Sequence, residues 1–317
     1  MTTNTDKLKP DWAGNDLLSR LVNLLIQTKP VYRLMKHQAR QVLIKTAEKN
    51  GIPWRQNYQE LDRSPVKTLY NAIANSQLDY PDYYRVRFHA YDSGNLCWQA
   101  AFEAESATQS MALRVWKNEP DLTFTEAQHR LRDSFHRVLA PYVTTPVRDI
   151  LDVGCSVGIS TMAIHNYYSS KQDILINTVG LDLSPYMLAV ATQRDEKKTI
   201  KWVHGNAEQT PFANNSFDLI TLQFIIHELP RYATTAIFRE MKRILRPGGV
   251  IAIVDNNPGS AVIQSLPPVL FTLMKSTEPW SDDYYTFNVE RALQEVGFNY
   301  QATVESDPRH RTIIAIN

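Results

Sequence analysis

Three polar side chains stand at or just after short apolar runs, with the spacing that a nucleotide-like cofactor requires. Asp152 lies in the run 150–158, Asp182 ends the next apolar run, and Asn206 follows a third. A carboxylate about 20 residues after a glycine-bearing turn can accept hydrogen bonds from both hydroxyls of a ribose. The sequence therefore predicts a ribose-binding carboxylate at Asp182.

The turn at 154–158 favours a cationic ligand group over a pyrophosphate. It reads G-x-x-x-G, which differs from the dinucleotide pattern G-x-G-x-x-G. Asp152, two residues before the first glycine, would repel a pyrophosphate and attract an α-amino group or a sulfonium. Gly154 and Gly158 are expected to let the backbone approach the ligand closely.

Further side chains around these positions complete the predicted cofactor site. Leu183 is placed to pack on an adenine ring, Asn206 to hold its amino group, and Ala207 is small enough to leave the ring face open. The predicted cofactor-binding residues are Asp152, Gly154, Cys155, Ser156, Gly158, Asp182, Leu183, Asn206, Ala207 and Gln223.

His227 is the predicted catalytic residue. It lies in the loop 223–230, just past a predicted strand, and an imidazole there could act as a general base near neutral pH. The alternative is a structural histidine at the lip of the crevice, and Glu228 either orients it or is solvated. The eight histidines are scattered and no C-x-x-C occurs, so no metal set is expected.

Two segments with many aromatic residues, 80–98 and 275–285, are predicted to cover the crevice. Tyr and Trp offer broad apolar faces with polar tips, which suits a pocket for a small acceptor. The alternative is that both are packed loops without ligand contacts. The candidate pocket residues are Tyr84, His89, Tyr91, Trp98, Glu278, Trp280 and Tyr285. The stretch 307–311 is predicted to be a polar turn from which His310 could reach the site.

The elements that must position these residues alternate between short β-branched runs and helical stretches after about residue 146. Strands are predicted at 149–153, 178–182, 200–204, 219–223, 250–255, 300–304 and 312–316. Helices are predicted after 156, 184, 234 and 287, and earlier at 31–49, 65–76 and about 125–140. This alternation predicts an α/β fold with a doubly wound, mostly parallel seven-stranded sheet. We expect an N-terminal helical or lid region at 1–145 and a cofactor-binding domain at 146–317.

Four motifs together resemble the class I S-adenosylmethionine-dependent methyltransferases of the ubiquinone/menaquinone-biosynthesis type. The resemblance covers about residues 147–317 and rests on 150–158, 179–185, 204–212 and 245–249. It implies a Rossmann-like fold, S-adenosyl-L-methionine as the cofactor, and methyl transfer. The front half is similar to cyanobacterial and plant-chloroplast methyltransferase-like proteins through PDYYRVRFHAYDSGNLCWQAA, VLFTLMKSTEPW and DPRHRT.

Two positions depart from the pattern of this family. Ser156 replaces the usual middle glycine of the turn, and Asn206 replaces a common aspartate. A serine is tolerable there if its backbone avoids positive φ. Asn206 keeps an acceptor for the adenine amino group but loses a charge.

Composition excludes several classes of protein. The net charge of +1 attracts neither nucleic acid nor membranes overall, and two cysteines exclude a disulfide framework and fit a reducing compartment. No apolar run approaches the ~18 residues needed to span a bilayer, and the polar N-terminus lacks a signal-peptide core. A cytoplasmic protein is expected.

The predicted helix 31–49 is amphipathic and basic. Its apolar stripe is expected to be Met35, Ala39, Val42 and Leu43, and its charged residues are Arg33, Lys36, Arg40 and Lys45. The helix either packs on the core with a solvated face or contacts an anionic membrane surface peripherally.

Three functions remain open at this point. The first is methyl transfer to a small-molecule acceptor, either aromatic or quinone-like, and the second is methylation of a protein in an open groove. The third is a non-catalytic assembly protein that binds the cofactor, an option that Ser156 keeps open. The glycine spacing and Asp152 disfavour a dehydrogenase. The sequence decides neither the methylated atom nor the oligomeric state.

Overall fold

The computed structural model describes residues 29–89, 91–267 and 276–317, with residues 20, 21, 24 and 272, and only the backbone of residues 29–36. Seven strands are present: β1 (Asp149–Val153), β2 (Asn177–Asp182), β3 (Ile200–His204), β4 (Phe217–Gln223), β5 (Leu245–Asn256), β6 (Asn299–Glu305) and β7 (His310–Ile316). They form one sheet in the order β3-β2-β1-β4-β5-β7-β6. The first five strands pair in parallel, whereas β7 runs antiparallel to both neighbours. The predicted fold class is confirmed.

Eleven helices are described, five of them before the sheet. These are α1 (Lys29–Lys49), α2 (Trp54–Arg63), α3 (Val66–Ile73), α4 (Trp98–Val115), α5 (Phe124–Leu139), α6 (Ile159–Lys171), α7 (Pro185–Arg194), α8 (Arg231–Ile244), α9 (Ala261–Gln264), α10 (Ser281–Tyr285) and α11 (Val289–Val296). The helices α2 and α4 were not predicted. No helix within the described residues is long and apolar enough to cross a membrane.

Local signals explain where several elements begin and end. Thr123 and Glu126 form a reciprocal capping box at the start of α5. Ser184 caps α7 by accepting the N–H of Met187, and Pro185 follows at the first helical position. The helices that link the parallel strands therefore begin right beside the carboxyl edge of the sheet.

Helices cover both faces of the sheet. On one face, α8, α10 and α11 pack on the central strands through side chains such as Phe238, Tyr285 and Leu293. On the other face, α5 and α6 pack through Phe135 and Ile164. Because both faces are buried, β5 is apolar along most of its length, as expected for a parallel sheet between two helical layers.

The front helices share a core with the sheet region. Val66 of α3 and Phe102 of α4 pack with Met187 and Val190 of α7. The ring of His204, at the end of β3, accepts the N–H of Asn75 at Nδ1 across 2.8 Å. The division at residue 145 stays a prediction.

Helix α1 buries a different stripe from the predicted one. Ile44 and Ala47 are buried, whereas Val42 is 62% exposed and Ala39 is also exposed. Arg40 forms an ion pair with the buried Glu103, so this cation faces inward. The side chains of Arg33, Met35 and Lys36 lie outside the described residues, and a membrane contact stays a prediction.

Candidate active site

A cavity of about 850 Å³ lies at the carboxyl edge of the sheet. It opens beside β1, where the strand order reverses between β2 and β4, which is the usual binding position in open α/β sheets. All predicted cofactor-binding residues line it except Gly158. The same cavity continues past His227 toward the front helices α1 and α4.

Both glycines of the turn pack closely against other side chains of the protein, and of the two Gly154 lines the cavity, so ligand approach to its backbone stays a prediction. Gly154 has φ 69° and Gly158 has φ 81°. A Cβ atom on Gly154 would lie 2.0 Å from Cδ1 of Ile225, and one on Gly158 would lie 2.5 Å from the ring of Trp202. Both positions need glycine because of backbone conformation and neighbouring side chains.

Ser156 adopts the left-handed backbone conformation, with φ 50°. The condition under which a serine is tolerated here without strain is therefore not met. A non-glycine residue in this conformation costs about 1–2 kcal/mol. Its position in the turn explains this conformation, because its N–H is directed at Asp182 across 2.8 Å.

Asp182 joins the turn after β1 to the end of β2. Its Oδ2 accepts the N–H of Ser156 and its Oδ1 accepts the N–H of Ser184, at 2.8 and 2.7 Å. Burial raises the pKa of Asp182 to about 6, although these bonds and one from Tyr84 act in the opposite direction. With about four lone-pair sites and these three bonds, the carboxylate keeps one lone pair for a ribose hydroxyl, and a second becomes free if Tyr84 moves away.

Asp152 is fully buried and is held by two hydroxyl groups. Thr161 donates to Oδ2 and Thr221 donates to Oδ1, each at 2.6 Å. Gln223 lies farther away, with Nε2 3.4 Å from Oδ1. Burial raises the pKa of Asp152 despite these bonds.

Arg132 of α5 carries a buried guanidinium without a hydrogen-bond partner among the described residues. Its side chain is 6% exposed, and Nε and Nη1 are unpaired. The guanidinium lies over the ring of Phe224, 5.2 Å from its centroid, and interacts electrostatically with Asp152. A buried cation without a partner is expensive, so this group marks a position for an anion in the cavity.

The predicted adenine contacts sit at one end of the cavity. Leu183, Asn206 and Ala207 all line it. The Oδ1 atom of Asn206 already accepts the N–H of Glu208 across 2.9 Å, so only its second lone pair can receive an adenine amino group.

His227 is paired with Asp255, at the end of β5. The Nδ1 atom lies 2.7 Å from Oδ1, and the backbone N–H of His227 donates to Oδ2 at 3.1 Å. Burial lowers the pKa of His227, but Asp255, Glu278 and Glu228 together raise it to about 9. The raised pKa favours the imidazolium near neutral pH, and the role of His227 as a general base stays a prediction.

Three more ionisable side chains surround His227. The Nε2 atom of His89 lies 3.8 Å from Glu228 and 3.9 Å from Glu278. Burial raises the pKa of Glu228 to about 8, and Asn95 donates to its Oε2 across 3.2 Å. This arrangement can hold and transfer protons beside a reacting group.

The two predicted covering segments meet above the site. The N–H of His89 donates to the carbonyl of Thr277 across 2.9 Å, and Nε1 of Trp280 donates to the carbonyl of Tyr83 at 3.4 Å. Within these segments, the candidate residues that line the cavity are Tyr84, His89, Tyr91 and Glu278.

Three aromatic candidates do not line the cavity. Trp98 packs against Tyr70, Phe102 and Tyr186 in the core between the front helices and α7. Tyr285 is buried in the sheet core, and Trp280 packs against that core. The aromatic content identified two segments that do contribute residues to the cavity wall. It did not distinguish the aromatic side chains that line the cavity from those that pack in the core.

The far end of the cavity is basic. Arg114 and Arg309 both line it and repel each other electrostatically. Nε of Arg309 donates to Asn256 at 2.9 Å. His310, tied to Asp307 through Nδ1 at 2.9 Å, lines the same end, so the polar turn reaches the site as predicted.

Sequence reasoning missed Arg132 and Asp255. Arg132 lies on the stripe of Leu131, Phe135 and Leu139 that α5 buries, and one arginine inside an apolar stripe was the available signal. Asp255 was recognised only as the end of a strand, although the carboxyl end of β5 belongs to the same edge as Asp152.

Comparisons with known proteins agree with this geometry. A family model described as a methyltransferase domain matches residues 151–253, about a third of the chain. Demethylmenaquinone methyltransferases of Bacillus licheniformis and Staphylococcus aureus are 35% and 33% identical to the chain over 108 residues. Each match covers 34% of this chain and 44% or 42% of the relative, so the chain spans less than half the length of these relatives.

Solved structures with a similar arrangement include a SAM-dependent methyltransferase from Aquifex aeolicus, with a TM-score of 0.46 and 19% identity over 65% of this chain and 97% of that chain. Geranyl diphosphate C-methyltransferase from Streptomyces coelicolor gives a TM-score of 0.45 and 14% identity over 59% of this chain and 81% of that chain. The turn, the carboxylates Asp152 and Asp182, and the strand order lie in or around the matched residues 151–253. The chain therefore contains a methyltransferase domain at residues 151–253.

Proposed function

We propose that this protein transfers the methyl group of S-adenosylmethionine to a small acceptor bound in the far part of the same cavity. The observation that supports this most directly is that residues predicted for the cofactor and residues predicted for the acceptor line a single cavity. One cavity of about 850 Å³ is lined by Asp182, His227 and Arg309 together. A cofactor at one end and an acceptor at the other would meet near His227, with protein on both sides.

The residues present fit this cofactor. Asp152 and the unpaired guanidinium of Arg132 offer one negative and one positive group, which match the amino and carboxylate groups of its methionine part. Asp182 offers lone pairs to the ribose, and Leu183 and Asn206 flank the adenine position. The cofactor supplies an activated methyl group bound to a sulfonium.

The protein's own contribution is to position the acceptor, exclude water and hold a proton. The contact between His89 and Thr277 covers the cavity, so the reacting atoms are shielded from bulk water. The imidazolium of His227, fixed by Asp255, can donate a hydrogen bond to an acceptor oxygen. As a base it would act mainly when deprotonated, above about pH 9.

An acceptor with a planar apolar body fits the middle of the cavity. Phe88, Tyr84 and Ile225 offer apolar and aromatic surface there. Arg114 and Arg309 at the far end favour an acceptor that also carries an acidic substituent. The named function of the curated relatives, demethylmenaquinone methyltransferase, supports a quinone-like ring.

Protein methylation is the less favoured alternative. A protein acceptor needs an open groove, whereas the segments containing His89 and Thr277 are joined over this cavity. A non-catalytic role is disfavoured because the carboxylates, His227 and Arg132 all converge on one cavity.

The test is a methyl-transfer assay with tritium-labelled S-adenosylmethionine and a panel of phenols and quinols with and without carboxylate groups. We expect labelled product with the acidic members, and a loss of at least tenfold in Arg309→Gln. An exposed arginine, Arg291, paired only with Glu295 on α11, provides the matched control Arg291→Gln. Transfer to protein substrates with none to the panel would contradict the proposal.

A further inference from the structure

A cluster of two imidazoles and one carboxylate lies at the centre of the cavity. The ligand atoms of His89, His227 and Glu278 all lie within 4.8 Å of one another. These residues are far apart in sequence and come from three different segments, so only the fold brings them together. No metal set was expected from the sequence, because its histidines are scattered.

Two of the three side chains, His227 and Glu278, are held on their outer side by the protein. Nδ1 of His227 is bound to Asp255, which leaves Nε2 toward the cluster. Oε2 of Glu278 accepts the hydroxyl of Ser281 at 3.2 Å, while its Oε1 lies 3.9 Å from Nε2 of His89. Metal-binding histidines usually have such an outer partner, because it sets the ring orientation and the tautomer.

The backbone also brings His89 toward the cluster. His89 has φ 46°, an uncommon conformation for a residue other than glycine, and its N–H is bound to the carbonyl of Thr277. Backbone strain of this kind persists only where surrounding structure requires it. Here it places an imidazole opposite His227.

The charge of the cluster leaves room for a cation. Glu228 and Glu278 both lie beside His89, at 3.8 and 3.9 Å, and neither forms an ion pair with an arginine or lysine in the described part of the chain. Two partly buried carboxylates are costly unless positive charge balances them, and that charge can be a proton on His227 or a metal ion that displaces it. Glu228 could supply a fourth ligand.

The ligand set defines the class of metal. Imidazole nitrogens and one carboxylate suit zinc, iron(II), cobalt(II) or manganese(II), whereas magnesium and calcium prefer oxygen ligands. Ligand atoms around one zinc ion lie about 2 Å from it, and therefore about 3.3 Å apart. Since the three atoms lie within 4.8 Å of one another, binding of a metal ion would bring them closer by up to about 1.5 Å.

We propose that His89, His227 and Glu278 bind one divalent transition-metal ion, with Glu228 as a further ligand, and that an oxygen of the acceptor fills the open position. The metal ion then takes the place of the Nε2 proton of His227, which is released, and with it the hydrogen bond from His227 to that oxygen. The binding step rests on these residues alone. Its suggested role, orienting the acceptor oxygen beside the methyl group, rests on the proposed function.

The test uses the full chain, stripped with a chelator and titrated with cobalt(II) and zinc(II) in the absence of cofactor. We expect one cobalt(II) per chain with visible d–d absorption, displacement by zinc(II), and no displacement by magnesium. Glu278→Gln and His89→Gln should weaken binding at least tenfold, and Asp255→Asn about 10- to 100-fold. His129→Ala, an exposed histidine on α5, should bind as wild type.

Two results would overturn the inference. One is no stoichiometric binding by the wild-type protein, and the other is binding that survives both His89→Gln and Glu278→Gln in folded variants. Circular dichroism and thermal unfolding establish folding for each variant. Calorimetry with S-adenosylmethionine in chelator is run in parallel, so a failed metal site is distinguishable from a failed cofactor site.

Discussion

The backbone N–H of Ser156 donates to Oδ2 of Asp182 across 2.8 Å, so the turn after β1 and the end of β2 are directly joined. The same carboxylate accepts the N–H of Ser184 with its other oxygen. One side chain thus supports both the glycine turn and the start of α7, and it also faces the cavity.

Asp182→Asn should lower the affinity for S-adenosylmethionine by about 2–3 kcal/mol, or roughly 30- to 150-fold, because a charged acceptor with two hydroxyl partners is lost. Calorimetry measures this. The matched control is Asp195→Asn, because Asp195 is also buried and accepts the N–H groups of Thr199 and Ile200. Asp195 lies outside the cavity, so the affinity of the Asp195→Asn variant for S-adenosylmethionine should be unchanged. Wild-type affinity in Asp182→Asn would remove the ribose assignment.

Cofactor affinity should fall as the pH falls through about 6. Burial raises the pKa of Asp182 to about 6, so below this pH the cofactor-free protein carries a neutral acid that must lose its proton to accept both hydroxyls. We expect constant affinity above pH 7 and roughly a tenfold loss per unit well below 6. Asp182→Asn should remove this step, and an equally steep loss in that variant would assign it to another group.

Ser156→Gly should stabilise the protein by about 0.5–1 kcal/mol. Relief of the left-handed conformation gains about 1–2 kcal/mol, and the greater freedom of glycine in the unfolded chain costs about 0.4–1 kcal/mol. Urea unfolding measures the difference. Ser156→Ala keeps the strain and should show no gain, so equal stabilisation by both would show that φ is not the cause.

Arg132→Met should act in opposite directions on stability and on binding. Removing a buried, unpaired guanidinium should stabilise the cofactor-free protein by about 1 kcal/mol or more, while cofactor affinity falls at least tenfold. Thermal unfolding and calorimetry report the two quantities. The control is Arg130→Met, two residues away on α5, where the guanidinium is paired with Glu119 at the surface. If the variant is less stable and binds the cofactor with unchanged affinity, the role of Arg132 is structural.

His227→Ala should lower turnover by roughly 10²–10⁴ while cofactor affinity stays the same. Asp255→Asn should lower turnover less and shift the pH profile of the rate toward lower pH, because the carboxylate that raises the pKa of His227 is neutralised. His129→Ala serves as the control. A wild-type rate at saturating acceptor in His227→Ala would return His227 to a structural role.

The parallel sheet was predictable because each of its strands is a short buried run with its own turn signals. The bounds of β1 and β3 agree with the predicted 149–153 and 200–204. The cofactor side of the site could be predicted from these strands, because polar residues at the carboxyl ends of parallel strands lie along the same edge of the sheet.

The acceptor side was less predictable because its residues come from segments without a clear period. Trp98 and Tyr285 look the same in sequence as Tyr84, yet the first two are packed in cores. His89 and Glu278 carry no local signal that they approach His227, since only the path of the front half around the sheet decides this. The helix α4 was not predicted because its many small and polar residues hide the apolar periodicity of the face that contains Phe102.

Among the described residues, two hydrogen bonds join the covering segments, one from the N–H of His89 to Thr277 and one from Trp280 to Tyr83. Under the proposed function, the same contacts would lie across the route by which a methylated product leaves on this side. Opening this route must break both bonds, and the second is long at 3.4 Å. We therefore expect the residence time of the product, rather than the methyl transfer itself, to limit each catalytic cycle.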